Sequence, residues 1–350
     1  MLRNSLKGIN LLVMSKVLRL GLLSALALSL TTGCSSDSAQ SDQVSELTIY
    51  SGRSENFISP FFTQWSEQTG IKLNVRYGDS AELAAQILEE GKNSPADLFL
   101  AQDAGSLGAV TAANLFTPLS AEIATQIPAK FSQAERNWVG VTARVRVFAY
   151  DPKKITTLPK SISDLTKPMY KNQIGIAPTN ASFQAFLTAV IENKGKAFAK
   201  SWLTALTANG VKIYPKNSVI VEAIDRGEIS LGLVNHYYTW EVAEALGREI
   251  NVVNGYFTSG DFGNLINVSG IGILNSSKKQ KAAEQLIDFL TSQAAQTQFV
   301  EQTHEYSLIT SIPTPDDLPT LDQIGAPAID LGSLKNISQT QDLLIEVGLL

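Results

Sequence analysis

Short apolar segments alternate with helical patterns along most of the chain, and this alternation restricts the fold more than any other feature. Segments with the composition of strands lie at 46–52, 71–77, 96–101, 173–178, 211–214 and 229–234. Helical patterns fill the intervals at 54–70, 79–91, 104–115, 181–192, 196–208, 217–226 and 239–247. Strands that alternate with helices over short connections predict an α/β fold, in which helices cover the sheet.

Two longer extended runs, 138–152 and 266–274, interrupt this alternation. Each is long enough to pass from one compact body to another, so we expect two α/β lobes joined by two extended crossing segments. The predicted first lobe comprises residues 46–143 plus about 269–318. The predicted second lobe comprises about 144–268 plus 319–350. Ligands of such folds bind at the carboxyl ends of strands, which predicts a ligand cleft between the lobes.

The N-terminus has the layout of a signal peptide. Lys16 and Arg19 precede an apolar run from Leu20 to Leu30, which is about half the length of a membrane-spanning helix. Because this layout is complete from Met14, either Met1 or Met14 is the start of translation. We therefore expect residues 1–33 to be removed and residues 34–45 to form a polar linker.

Cys34 is the single cysteine of the chain, and it follows "LTTG" directly. This segment resembles the lipobox of bacterial lipoproteins, although Thr31 stands where that pattern prefers leucine. The resemblance implies a lipidated Cys34 that anchors a periplasmic or extracytoplasmic protein to the membrane. The alternative is a buried structural cysteine.

Charge and the absence of several motifs exclude other classes of protein. Removing residues 1–33 takes away 4 of 28 basic residues and none of 33 acidic ones, so the mature chain carries a net charge of −9. Such an acidic chain is not built to bind nucleic acid. The chain contains two histidines, no phosphate-binding loop, no zinc-type cluster and no G-x-S-x-G motif. We therefore expect a binding protein and not an enzyme.

Two adjacent tyrosines, Tyr237 and Tyr238, lie between a predicted strand that ends at Val234 and a predicted helix that includes Glu241. Neighbouring side chains point to opposite faces of a strand and diverge by about 100° on a helix, so only an irregular turn lets both phenols converge. A phenolate is a hard oxygen donor, and its ordinary pKa of about 10 means that a strongly polarising cation is needed to keep it ionised near neutral pH. Ferric iron is the natural candidate. The alternative is that one tyrosine packs in the core and the other covers the surface.

Several segments, taken together and in order, carry a resemblance to a known family. They are "LTIYSGRSENF", "TGIKLNVRYGDSAELAAQILEEGKNSPADLFLAQDAG", "WVGVTARVRVFAYDP", "YPKNSVIVEAIDRGEISLGLVNHYYTWEV" and "SGIGILNSSKKQKAAEQLIDFL". The chain resembles the ferric-iron-binding periplasmic proteins of ABC transporters, over most of residues 46–310. The resemblance implies a fold like that of the type II periplasmic binding proteins. It also implies a monomer that delivers Fe(III) to an ABC permease and its ATPase in the inner membrane.

The resemblance implies a set of site residues. Tyr237 and Tyr238 match the paired tyrosine ligands of ferric iron, and Tyr150 resembles a third tyrosine of some members. In the family, a loop and several amide side chains hold a synergistic anion, which is carbonate or another anion. The matching residues of this chain are Asn180, Ala181, Ser182, Asn217 and Asn235. From the residues themselves, Thr179 or Asn180 would cap the helix that starts near Ala181, and free backbone N–H groups there would form an anion site.

The sequence departs from the family at two positions. Ser54 stands where some members have a histidine ligand, and Gln102 where some have a glutamate. Arg53 and Arg144 have the planar guanidinium that suits carbonate, although each is equally suited to an ordinary ion pair.

Three further residues leave alternatives open. Asp103 is first a helix cap, although it lies near the cleft, and Tyr150 is alternatively a packing aromatic of the hinge. We expect His236 to point away from the cleft that Tyr237 faces.

The departures from the family at Ser54 and Gln102 keep open a second interpretation, in which the same fold binds a small organic anion, a phosphonate or a polyamine. A lobed α/β enzyme is the more distant alternative.

Overall fold

One long strand connects the two halves of the sheet in the computed structural model, which describes residues 44–315, 318–331, 334 and 336–350. The strands are β1 (Glu46–Ser51), β2 (Lys72–Tyr77), β3 (Leu98–Ala101), β4 (Phe116–Thr117), β5 (Val139–Tyr150), β6 (Ile174–Ile176), β7 (Lys212–Ile213), β8 (Leu231–Asn235), β9 (Val253–Gly255) and β10 (Ile266–Leu274). Their order is β2-β1-β3-β10-β5-β8-β6-β7, with β4 on β10 and β9 on β5. The predicted signal peptide and Cys34 lie outside the described residues.

Helices cover both halves of the sheet. They are α1 (Glu55–Thr69), α2 (Ser80–Glu90), α3 (Ala104–Ala112), α4 (Ala121–Ala124), α5 (Ala181–Lys194), α6 (Lys196–Ala208), α7 (Asn217–Asp225), α8 (Tyr238–Leu246), α9 (Gln280–Thr291), α10 (Gln293–Thr303), α11 (Leu321–Ile324) and α12 (Ile337–Glu346). Short 3₁₀ helices occupy Gly91–Asn93, Ala129–Phe131, Ile162–Thr166, Pro168–Tyr170 and Phe262–Asn264. None of the described helices is both long and apolar enough to cross a membrane.

Strand β5 changes partners along its length, which makes it the crossing segment predicted from the sequence. Its first part pairs antiparallel with β10, ending at Val145 opposite Ile266. From Arg146, opposite Asn235, it pairs antiparallel with β8. Strand β10 then returns the chain to the first half of the sheet, where it also pairs with β3 and β4. The predicted α/β fold with two extended crossings is thus confirmed.

The parallel strands direct their carboxyl ends toward the middle of the molecule. β1 pairs parallel with β2 and β3 in one half, and β8 pairs parallel with β6 in the other. The loops after β1, β3, β6 and β8 carry Ser54, Gln102, Asn180 and Tyr237, which the sequence analysis placed in or near the cleft. Residues 44–350 group into a single compact unit, and the lobe boundaries given above stay a prediction.

Helix α1 buries one face in the core and leaves one aromatic residue beside the site. Ile58, Phe61, Phe62 and Trp65 form its buried face, and Phe61 stacks on Phe299 of α10 with ring centroids 3.7 Å apart. Phe57 is not on that face and is only half-buried. It lies in the first turn of the helix, and it faces the site described next.

Candidate metal and anion site

The two tyrosines lie in the turn between β8 and α8, as the sequence predicted. Asn235 ends the strand, and Tyr237 precedes the first helical residue, Tyr238, with a right-handed helical backbone. The two rings lie 4.5 Å apart between centroids, at an angle of 34°. Tyr237 is only 3% exposed, and Phe57 packs against it at 5.9 Å. The turn therefore brings two consecutive phenols to one point.

The N-terminus of α5 forms the next part of the site. Asn180 caps this helix, and its Oδ1 accepts hydrogen bonds from the backbone N–H and the hydroxyl of Ser182, at 3.1 and 2.5 Å. Of the two predicted caps, Thr179 and Asn180, the structure has Asn180, with Ala181 as the first helical residue. The Asn217 amide lies within 3.3 Å of Asn180 Oδ1 and 3.4 Å of Ser182 Oγ. Asn217, 35 residues after Ser182, therefore joins Asn180 and Ser182 in one polar cluster.

Arg146 joins this cluster to the tyrosines. Its guanidinium donates to Ser182 Oγ at 3.3 Å, to Asn235 Oδ1 at 3.4 Å and to the carbonyl of Leu233 at 2.9 Å. The Asn235 amide in turn reaches the Tyr237 hydroxyl at 3.5 Å. Burial lowers the pKa of Arg146 to about 9, against the opposing effect of the two tyrosines. Arg146 remains a cation at neutral pH and lies beside both phenols.

Two more buried arginines, Arg53 and Arg144, interact electrostatically with Tyr237, and they differ in their hydrogen-bond partners. Arg53 is 4% exposed and donates two hydrogen bonds to the carboxylate of Glu305, at 3.0 and 2.7 Å. Arg144 is 1% exposed, and its nitrogen atoms have no hydrogen-bond partner among the described residues. Burial works against the charge of Arg53, but Glu305 and Tyr237 raise its pKa overall. Burial lowers the pKa of Arg144.

Burial also acts on the phenols themselves. It raises the pKa of Tyr238 well above its ordinary value, and the neighbouring Tyr237 adds to the effect. Without a bound cation Tyr238 is therefore a neutral phenol near pH 7. Only a strongly polarising ion would displace its proton.

His236 points away from the phenols' site, as we expected. Its Nδ1 accepts from the backbone N–H of Val145 at 3.2 Å, and its Nε2 bonds the carbonyl of His304 at 2.8 Å. The Nδ1 acceptor requires a proton on Nε2, so the ring is the neutral Nε2–H tautomer. Burial lowers the pKa of His236 to about 4. This histidine ties the tyrosine turn to β5 and to the end of α10.

The structure does not place Tyr150 beside Tyr237 and Tyr238. It lies opposite Leu231 in the β5–β8 ladder, whereas Asn235 lies opposite Arg146. Four residues of strand separate these positions by about 13 Å. The ring of Tyr150 packs against Phe148 at 5.6 Å, so its surroundings are those of a packing aromatic.

The remaining sequence candidates lie at the ends of strands. Ser54 is exposed and precedes α1, and it lines a cavity of about 570 Å³ together with Phe57, Tyr237, Glu241 and Thr303. Gln102 is half-buried directly after β3. Asp103 caps α3 through the backbone N–H and hydroxyl of Ser106, at 2.8 and 3.1 Å, which confirms the predicted cap.

Sequence reasoning missed Arg146 and Glu305. Arg146 follows Arg144 by two residues in "RVRV", so both side chains lie on one face of β5, and this spacing was a usable signal. Glu305 lies more than 250 residues after Arg53, and nothing local to either residue predicts their pairing. The described residues also contain no group of three His, Cys, Asp or Glu side chains placed to hold a metal ion.

The comparisons with known proteins agree with this geometry. Residues 93–324 match the family described as Bacterial extracellular solute-binding protein. The chain is 32% identical over 339 residues to the Fe(3+)-binding periplasmic protein of Serratia marcescens, covering 96% of this chain and 99% of that one. It is also 32% identical over 320 residues to the major ferric iron-binding protein of Neisseria meningitidis, covering 89% and 95%. The structure of iron-bound HitA from Pseudomonas aeruginosa is similar with a TM-score of 0.81 and 33% identity, covering 87% of this chain and 99% of that one.

The chain belongs to the family of bacterial extracellular solute-binding proteins. Its fold is that of the two-lobed type II periplasmic binding proteins, which confirms the fold predicted from the sequence. The resemblance to ferric-iron-binding periplasmic proteins is confirmed as well. These relatives are named as binding proteins and not as enzymes, in agreement with the prediction of a binding protein.

Proposed function

We propose that this protein captures ferric iron in the cleft for an ABC importer, with Tyr237 and Tyr238 as its phenolate ligands. The observation that carries the proposal is the convergence of two adjacent phenols, 4.5 Å apart, in a turn lined by buried guanidinium groups. Relatives that are 32–33% identical over most of the chain are named ferric-iron-binding proteins or are described as iron-bound.

The surrounding charges favour a phenolate only when iron is present. Arg53, Arg144 and Arg146 each interact electrostatically with one or both tyrosines, and positive charge stabilises a phenolate. Burial opposes ionisation, however, and raises the pKa of Tyr238. Ferric iron displaces the phenol protons, so that capture of the ion and ionisation of its ligands occur together.

A synergistic anion, carbonate or another, completes the coordination shell in this proposal. Its site is the N-terminus of α5, beside the polar cluster of Asn180, Ser182 and Asn217 that Arg146 contacts through Ser182. The positive end of the helix and the Arg146 guanidinium both favour a negative ligand there. Arg53 is engaged by Glu305 and contributes its charge at a distance.

The transport step follows from the two-lobed fold. A closed cleft offers ligands from both sides, an open cleft offers only some, and this difference in affinity favours closure around the ion. In the proposal a monomer, anchored through lipidated Cys34, opens at the membrane permease and releases iron for ATP-driven import. In the proposal, one lobe comprises residues 46–143 plus about 269–318, and the other comprises about 144–268 plus 319–350.

The visible absorption spectrum tests this proposal. The purified protein is recorded before and after addition of ferric citrate with bicarbonate, beside the Tyr237→Phe/Tyr238→Phe double variant. We expect a phenolate-to-iron charge-transfer band in the parent and none in the double variant. Tyr150→Phe is the matched control, because it removes a phenol from the far end of β5 and should keep the band.

Two other results would redirect the proposal. A parent without the band would exclude the phenols as iron ligands, and three buried arginines would then favour a small organic anion or phosphonate as the solute. A thermal-shift screen of such anions and of polyamines would be the next experiment. Loss of the band in Tyr150→Phe alone would mean that the cleft closes differently around iron.

A further inference from the structure

Glu241 lies one helical turn beyond the two phenols, on the same side of α8. It follows Tyr238, the first residue of the helix, by three positions and Tyr237 by four, and side chains at these spacings are neighbours on a helix surface. Helical side chains tilt toward the N-terminus, so the Glu241 side chain covers the turn that carries the phenols. Its charge acts on Tyr238. The helix therefore brings a carboxylate to the tyrosine pair.

This carboxylate lines the cavity beside Tyr237. The cavity has a volume of about 570 Å³, and Phe57, Tyr237 and Glu241 are among the residues that line it. Glu241 is half-buried, and burial raises the pKa of its carboxyl group against the opposing charge of Lys216. A charge that has lost part of its water is costly unless another group pairs with it.

The Glu241 carboxylate has no such group among the described residues. None of them donates a hydrogen bond to it or forms an ion pair with it, and Lys216 acts on it only at longer range. The Glu305 carboxylate, by contrast, accepts two hydrogen bonds from Arg53. The Asp103 carboxylate caps α3. Glu241 is thus available to a cation that enters the cavity.

We propose that the carboxylate of Glu241 is a third protein ligand of the ferric ion, beside the phenolates of Tyr237 and Tyr238. Two phenolates leave a ferric ion coordinatively unsaturated, and a carboxylate is a hard oxygen donor that suits it. One carboxylate oxygen binds the iron and displaces a water molecule, and Glu241 transfers neither a proton nor an electron. This inference rests on the proposed function, which assigns the two phenolates.

A purely structural role for Glu241 makes a different prediction. An acidic residue in the first turn also complements the dipole of a helix, and Glu241 holds that position in α8. If this were its whole role, Glu241→Gln would lower the stability of the iron-free protein and leave ferric binding unchanged. A ligand role predicts weaker ferric binding by a variant that, without iron, keeps most of the parent's resistance to urea.

The matched control is Glu244→Gln. Glu244 lines the same cavity, but it is exposed and lies three residues farther from the phenols than Glu241. Each variant removes one negative charge from the cavity, so the comparison separates coordination from general attraction of a cation. In competition with a chelator, ferric affinity should fall by more than roughly tenfold in Glu241→Gln and stay close to that of the parent in Glu244→Gln.

Two spectra report on the coordination itself. Loss of an anionic ligand makes ferric iron a stronger Lewis acid, so the phenolate-to-iron band should move to longer wavelength in Glu241→Gln and keep its position in Glu244→Gln. Infrared difference spectra, iron-loaded minus iron-free, are recorded on protein with carbon-13 in its glutamate carboxyl groups. We expect a labelled carboxylate signal in the parent and in Glu244→Gln that Glu241→Gln lacks.

Glu241→Asp is the second variant, and it takes the place of Glu241→Gln if that protein does not fold. It keeps the charge but withdraws the carboxylate by one methylene group, so ferric affinity should fall in it as well. Parental affinity with an unshifted band in Glu241→Gln, or equal losses in the Glu241→Gln and Glu244→Gln proteins, would overturn the ligand role.

The proposed function fails on a different result. A parent without the phenolate band would contradict Tyr237 and Tyr238 as ligands, whereas the infrared difference spectrum would still report whether iron contacts Glu241. A parent with the band, beside a Glu241→Gln protein that is unchanged in affinity and in both spectra, would overturn Glu241 alone.

Discussion

Replacing Glu305 by glutamine should destabilise the iron-free protein strongly, because it leaves the buried charge of Arg53 unpaired. Glu305 is fully buried, and its carboxylate accepts both hydrogen bonds of the Arg53 guanidinium at 3.0 and 2.7 Å. Removal of one partner from a buried ion pair typically costs about 3–5 kcal/mol. A chain of this size loses roughly 2–4 °C of Tm per kcal/mol, so we expect Tm to fall by about 10 °C.

A double-mutant cycle separates the unpaired charge from the loss of the contact. Arg53→Met, Glu305→Met and Arg53→Met/Glu305→Met are compared by urea unfolding without iron, beside Glu305→Gln. The variant that removes both charges should recover most of the stability lost in Glu305→Gln, because an apolar pair of similar volume replaces a buried ion pair at little cost. A loss below about 1 kcal/mol in Glu305→Gln, or no recovery in the double variant, would refute the reasoning.

Three further predictions concern the site and the turn that holds it. Tyr238→Phe removes a ligand and should weaken ferric binding, in competition with a chelator, by more than the ~10–100-fold that loss of an outer-shell contact costs. Arg146→Gln touches only such contacts and should fall within that range, with a weaker dependence on bicarbonate. His236→Leu leaves the Val145 N–H without its acceptor and should cost about 1–3 kcal/mol in urea unfolding. Because the folded pKa of His236 is lowered to about 4 from 6.5, its stabilisation is present above pH 6.5 and is lost as pH falls toward 4, so the variant should show a shallower loss in acid.

The sequence was sufficient to predict elements whose pattern is local. The helix predicted at 196–208 and the extended run at 266–274 match α6 and β10 at both ends. The crossing role of β5 followed from its length, and the tyrosine turn followed from the change of pattern after Val234. In each case one continuous segment contains the whole signal.

The contacts that the sequence did not reveal depend on strand register and on residues that are distant along the chain. Tyr150 is close in sequence to Arg146, but it lies opposite Leu231 at the end of β5, four strand residues away from the pairing of Arg146 with Asn235. The pairing of Arg53 with Glu305 and of Arg144 with Asn267 joins segments more than 100 residues apart. No periodicity within either segment encodes these contacts.

Resonance Raman spectroscopy of the iron-loaded protein tests the central claim most directly. Excitation in the visible charge-transfer band enhances the vibrations of whatever group donates to the iron. The account predicts ring modes of tyrosine phenolate that shift when the protein contains ring-deuterated tyrosine and that disappear in Tyr237→Phe/Tyr238→Phe. Iron bound at equal affinity in that double variant, with no phenolate modes in the parent, would contradict the account.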